Sequence, residues 1–138
     1  MVKTTYLSLA TRGNTDVQDV TALVARAVEE SGFENGVVVI FTPSSTSALT
    51  TIEYEPGCVS DLRHLFEEWI PSAKDYTHNN RWGDNNGHSH LRAAMLGPSL
   101  TIPFVERRLC LGTWQQIIFI DFDVRPRQRR LVVQVLGT

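Results

Sequence analysis

Residues 3 to 11 read KTTYLSLAT, a run with a period of two. Thr5, Leu7 and Leu9 fall on one side and Thr4, Tyr6 and Ser8 on the other, which predicts a half-buried strand. Thr15-Asp16-Val17-Gln18 fits a capping box, because a hydroxyl at a helix start pairs well with a glutamine three positions on. Val17, Val20, Val24, Ala27 and Val28 then recur at helical spacing, and Gly32 supplies a stop. From Gly36 the run VVVIFT is apolar at every other position and between, so it predicts a central strand covered on both faces. The hydroxyl-rich Ser44-Ser45-Thr46-Ser47 follows Pro43 as a bend, and Ala48 to Tyr54 resumes as a strand before Pro56-Gly57. Val59, Leu62, Leu65, Phe66 and Trp69 form a second helical stripe, closed by Pro71.

Residues 72 to 87, SAKDYTHNNRWGDNNG, have no apolar periodicity. Such a stretch is long for a connection inside a compact domain, where about 4–6 residues is ordinary, and long loops there tend to be functional. Tyr76, His78 and Trp82 within it favour a functional loop. A short helix is expected over His88 to Met95, ended by Gly97-Pro98, and an edge strand over Leu100 to Phe104, where Pro103 removes a backbone donor. Gln115 to Val124 and Arg130 to Leu136 complete the strands. Helices mostly early and strands mostly late predict an α+β fold with antiparallel neighbours.

Composition narrows the function. A chain of 138 residues and 15.5 kDa fits one domain, 1–138, able to bury a core without staples. Thirteen basic against fifteen acidic residues leave a formal charge of −2, which disfavours nucleic acid as a partner. No apolar run reaches the ~20 residues of a membrane span, and the first residues lack a hydrophobic signal core. Cys58 and Cys110 lie far apart in apolar surroundings, as buried thiols do in a reducing compartment, so a cytoplasmic protein is expected.

Four groups could carry chemistry. His88-Ser89-His90 sets two imidazoles two positions apart, with His78 ten positions upstream. On a strand His88 and His90 would share a face and could share an ion such as zinc. On a helix they would point about 160° apart and could not; one would then be a cap and another a surface group. Among the acidic residues, Glu53 interrupts a strand beside the hydroxyl bend and Asp84 sits in the polar loop. Either could take a proton or orient a histidine. Asp121 and Asp123 share a strand face with Arg125, which reads first as a solvated or arginine-paired face. Arg125, Arg127, Arg129 and Arg130 cluster around Pro126, and guanidinium forks suit phosphate or carboxylate. Trp114 and Gln115 follow Gly112 and offer a stacking surface and an amide, although such a run is usually packing.

The stretches FTPSSTSALTTIEYEP, HNNRWGDNNGHSHLRAAMLGPS and LGTWQQIIFIDFDVRPRQRR, in that order, resemble the YjbQ-like family of secondary thiamine-phosphate synthase-like proteins. The resemblance implies an α+β domain with a mixed or antiparallel sheet sandwich and two to three helices, assembled as a homotrimer. It implies a polar pocket at the subunit boundary holding a divalent metal, with zinc the expected ion on His78, His88 and His90. It also implies a weak transferase activity that displaces pyrophosphate from a small phosphorylated molecule to form thiamine phosphate. Glu53, Asp84 and His90 are then the catalytic candidates, and Ser44, Trp114, Gln115, Arg125 and Arg127 the substrate-binding ones. The chain departs from the family pattern at Ser44-Ser45-Thr46-Ser47, where many members read His-Thr-Thr-Ala. A trimeric metal- or anion-binding protein without turnover is the second reading, and histidines that merely pair across an interface are the third.

Overall fold

A computed structural model describes residues 1–138. In chain order the elements are β1 (Val2–Thr11), β2 (Asp16–Asp19), α1 (Thr21–Ser31), β3 (Gly36–Phe41), β4 (Ser47–Ile52), α2 (Pro56–Trp69) and α3 (Thr77–Trp82). Then come α4 (Gly87–Leu96), β5 (Ser99–Val105), β6 (Arg108–Leu109), β7 (Gln116–Asp121) and β8 (Arg127–Gly137). One sheet has the order β1-β8-β3-β5-β6 and the other β2-β7-β4, with every pair antiparallel. The expected α+β antiparallel sandwich is therefore present, with four helices where two to three were expected.

Alternation explains the layers. Leu9, Val38, Ile40, Leu131 and Val133 of the larger sheet pack against Leu49, Ile117 and Phe119 of the smaller one, with Val24 and Val28 of α1 in the same cluster. The opposite face of the smaller sheet, Ala48, Ile118, Ile120 and Phe122, packs against Val59 and Phe66 of α2 and Ala93 of α4. Strand β7 is thus apolar on both faces because it is covered on both. The helices α2 and α4 lie over one side of the smaller sheet, which brings the start of α4 near the end of β7. None of the four helices is long and apolar enough to cross a membrane.

Three expectations are corrected. Thr15 to Gln18 does not cap a helix: Asp16–Asp19 is a strand paired with β7. Thr15 sits at φ 64°, unusual for a β-branched residue. Its hydroxyl accepts from Arg92 and its carbonyl from Arg63, so tertiary partners claim the atoms that a cap would use. The helix begins at Thr21, where the Asp19 carboxylate accepts from the Thr21 amide and hydroxyl. Residues 72 to 87 are not all loop, because Thr77–Trp82 is helical; this helix buries no residue and so leaves no apolar period to read. Strand β3 is central but not covered on both faces. Val38 and Ile40 are fully buried, whereas Phe41, on the other face, is 40% exposed.

Candidate active site at the open end of the sandwich

The site forms where the two sheets stop. Along β8, Arg127 and Arg129 share the inward face with Leu131 and Val133, so both guanidinium groups point between the sheets. Asp121 continues the inward face of Ile117 and Phe119 on β7, and Asp123 follows just beyond the strand. Arg129 donates from Nε and Nη2 to Asp121 at 2.8 and 2.9 Å, and Arg127 donates from the same two atoms to Asp123 at 3.1 and 2.7 Å. Both carboxylates are sealed, at 0% and 2% exposure. The aspartates are therefore arginine-paired as one reading expected, but they are buried and not solvated.

A cleft of about 480 Å³ opens above these pairs. The β3–β4 bend contributes Ser44, Ser45 and Thr46, α3 contributes His78 and Trp82, and the start of α4 contributes Asn86 and His90. Two glycines permit the close approach. A Cβ on Gly13 (φ 76°) would lie 2.6 Å from the carbonyl oxygens of Asp123 and Arg125, and one on Gly87 would lie 2.6 Å from Tyr76 Cβ.

A chain of polar contacts sets the state of His78. The Asn86 Nδ2 donates to Asp123 Oδ1 at 3.3 Å, because a carboxylate only accepts. Its Oδ1 therefore faces His78 Nε2 at 3.0 Å, so that ring nitrogen carries a proton. Burial pushes the Asp123 carboxyl up, but the Val124 amide, the Arg127 guanidinium and the Asn86 amide outweigh it and hold it below its ordinary value. The His90 ring lies edge-on to His78, centroids 4.5 Å apart. Burial, and then the His78 charge, hold His90 below the ordinary imidazole value, leaving it neutral and able to accept a proton near pH 7.

The expected metal set does not fit. His88 and His90 lie on a regular helix, so their rings diverge. His88 is 4% exposed and does not line the cleft; its ring lies 6.5 Å from that of Tyr76, with Nδ1 unpartnered. His78 already gives Nε2 to Asn86. No group of three or more His, Cys, Asp or Glu side chains is arranged to hold an ion, so zinc on His78, His88 and His90 is withdrawn.

Of the other candidates, Ser44, Asp84, His90 and Arg127 line the cleft, and Arg125 lines a side pocket with Asp84, Asn86 and Asp123. Glu53, Trp114 and Gln115 stand apart. Glu53 is exposed beyond the end of β4, Trp114 is 72% exposed, and Gln115 bonds Thr51 and Gly112. Thr46, Asn86 and Arg129 were missed as site residues. Asn86 opens α4 and is 6% exposed, a burial that an Asn-rich string does not reveal.

A family model described as UPF0047 protein YjbQ-like matches residues 5–138. A UPF0047 protein of Methanothermobacter thermautotrophicus is 40% identical over 136 residues, covering 99% of this chain and 93% of the relative. The UPF0047 protein YugU of Bacillus subtilis is 30% identical, covering 99% and 100%. A crystal structure from Sulfolobus solfataricus, described as a YbjQ-like protein of unknown function, superposes with a TM-score of 0.90 at 31% identity, each chain fully covered. None of these relatives is described as a thiamine-phosphate synthase, a transferase or a zinc protein. Together with the lack of any cluster of side chains arranged to hold an ion, this overturns the expectation of a metal-assisted thiamine-phosphate synthase.

Proposed function

The chain belongs to the YjbQ-like UPF0047 family, and from that premise we propose that the cleft binds a small oxyanion-bearing molecule and moves a proton on it with His90. The supporting observation is the state of the two arginines. Each is locked by two hydrogen bonds to a buried aspartate, Arg129 to both oxygens of Asp121 and Arg127 to Oδ2 of Asp123, yet neither Nη1 has a partner within the chain, and both side chains line the cleft. Asp121 and Asp123 are almost wholly buried beneath them, so the arginines turn free donors to the cleft, where Asp84 is the one exposed carboxylate. Ser44 and Ser45 add hydroxyls, and the neutral His90 ring adds a base.

Inorganic phosphate titrated calorimetrically into the intact protein is expected to bind. Arg127→Gln should weaken it by about tenfold or more, the worth of a charge-assisted hydrogen bond. Binding should also raise the His90 imidazole pKa, followed by NMR, because a dianion beside the ring favours its protonated form. No measurable phosphate affinity, or an unchanged affinity in Arg127→Gln, would sink this reading.

Self-association is the second part of the proposal. The outer face of the larger sheet, opposite Leu9 and Val38, is covered by nothing in the chain. Val2, Tyr6, Phe41 and Val105 on it are 40–54% exposed, and strand pairing places Val37, Val39 and Val132 beside them. Its charged residues are Arg130, over the Tyr6 ring at 4.4 Å, and Arg108, beside Val105 at the sheet edge. Such an uncovered apolar face offers contact area to further copies of the chain, and heterologous packing of it around a threefold axis would give the homotrimer implied by the resemblance. Light scattering is expected to report three chains per particle, and a monomer at micromolar concentration would refute it. A cytoplasmic setting is supported by Cys58 and Cys110, which are both free thiols, although Cys58 is only half-buried and Cys110 is exposed where buried thiols were expected.

A further inference from the structure

A second hollow, of about 260 Å³, lies on the far side of His90. It shares Ser44, Ser45 and His90 with the main cleft, so those residues stand between the two lobes. The lobes differ in chemistry. The main one carries Arg127 and Arg129, whereas no charged side chain lines the second, whose further walls include Ala93, Ala94 and Pro98. Ala93 and Ala94 stand three and four positions after His90 on α4, the spacing that keeps side chains on one helix face. Two methyl groups there leave open a space that larger apolar residues would fill beside the imidazole.

Resting on the oxyanion reading above, we propose that the ligand is bipartite: an oxyanion head held by Arg127 and Arg129, and a short uncharged arm seated against Ala94 and Pro98. The junction between head and arm lies beside His90. This selects small molecules in which the oxyanion is carried by a few carbon atoms, and it disfavours both a bare inorganic ion and a doubly anionic molecule charged at each end.

The experiment compares inorganic phosphate with n-butyl phosphate as probes, by calorimetry on the intact protein and on Ala94→Leu and Ala94→Ser. n-Butyl phosphate is expected to bind at least about tenfold tighter than phosphate, since each buried methylene adds roughly a factor of four. Ala94→Leu should erase that advantage and leave phosphate affinity within about twofold, while Ala94→Ser, nearly unchanged in volume, should keep it. Ala94 is exposed on its helix, so both variants are expected to fold, checked by thermal melting. Equal affinity for the two probes, or an advantage that survives Ala94→Leu, overturns the bipartite site while leaving the oxyanion reading intact. Absence of phosphate binding to the parent protein defeats that reading and the bipartite site with it.

Discussion

Replacing Arg129 with methionine is expected to destabilise the protein by about 3–5 kcal/mol, the cost of stripping the partner from a buried charge. Asp121 is fully buried, and Arg129 gives it two of its hydrogen bonds. The others come from the Thr11 hydroxyl at 2.6 Å and the Asp123 amide at 3.0 Å. Arg129 Nη2 also lies 3.8 Å from Asp123, so one guanidinium offsets two neighbouring carboxylates. Without it Asp121 has dipoles but no cation, with a second anion two residues away. Methionine keeps most of the volume, so the loss is electrostatic and not a cavity. Urea unfolding measures it, and adding Asp121→Asn to Arg129→Met should recover a large part by removing the stranded charge. A double variant no more stable than the single one would show that the pair is not what holds this end of the sandwich together.

The same aspartates show what could be read from the chain beforehand. Strand β7 was plain, because Ile117 to Ile120 and Phe122 are apolar and a strand covered on both faces explains each of them. Pairing of Asp121 and Asp123 with arginine was legible from their composition. Their burial was not, because it depends on Arg127 and Arg129 arriving from β8 on the other sheet. The error at Thr15 has a similar origin. A hydroxyl followed by glutamine satisfies a local rule, but Arg92 and Arg63, far along the chain, decide where that residue's polar atoms go.

The histidines divide in the same way. Spacing alone left open whether His88 and His90 share a face, and the helical period of α4 settles it by sending His90 to the cleft and His88 toward Tyr76 and Arg92. The resemblance implied a pocket gathering His78, His88 and His90; His78 and His90 meet, with rings 4.5 Å apart, and His88 stands outside the cleft. Their chemistry differs from that expectation because Asn86 occupies the position through which His78 connects to Asp123. Outlying Trp114 and Gln115 belong to the turn before β7, where Gln115 Oε1 accepts from the Gly112 amide, so their motif is local turn structure.

Stability should fall steeply as the pH drops from about 7 towards 5, and the suppressed imidazoles of His88 and His90 are the cause. Burial comes first, then the charge of Arg92, and both hold the His88 pKa below its ordinary value; the more distant Glu67 and Asp123 oppose them and are outweighed. Arg92 is 3% exposed and pinned by the Ile70 carbonyl, Thr15 and Glu67, so it cannot swing away from a protonated ring. The unfolded chain takes up a proton at each histidine near pH 6.5, whereas folded His88 and His90 do so only at lower pH. Between those values the unfolded state binds more protons, so unfolding free energy decreases with falling pH, by about 1.4 kcal/mol per pH unit for each imidazole at most. The carboxylates held low, Asp123 and Glu67, keep their charge through this window and contribute their own loss only at more acidic pH. Urea midpoints at intervals from pH 7.5 to 5 give the slope. His88→Gln should remove roughly half of it, because one of the two suppressed imidazoles is gone, and His88→Gln with His90→Gln should flatten it. A slope unchanged by His88→Gln would mean that the ring charges in place without penalty, and that its closed environment of Tyr76 and Arg92 opens to water in solution.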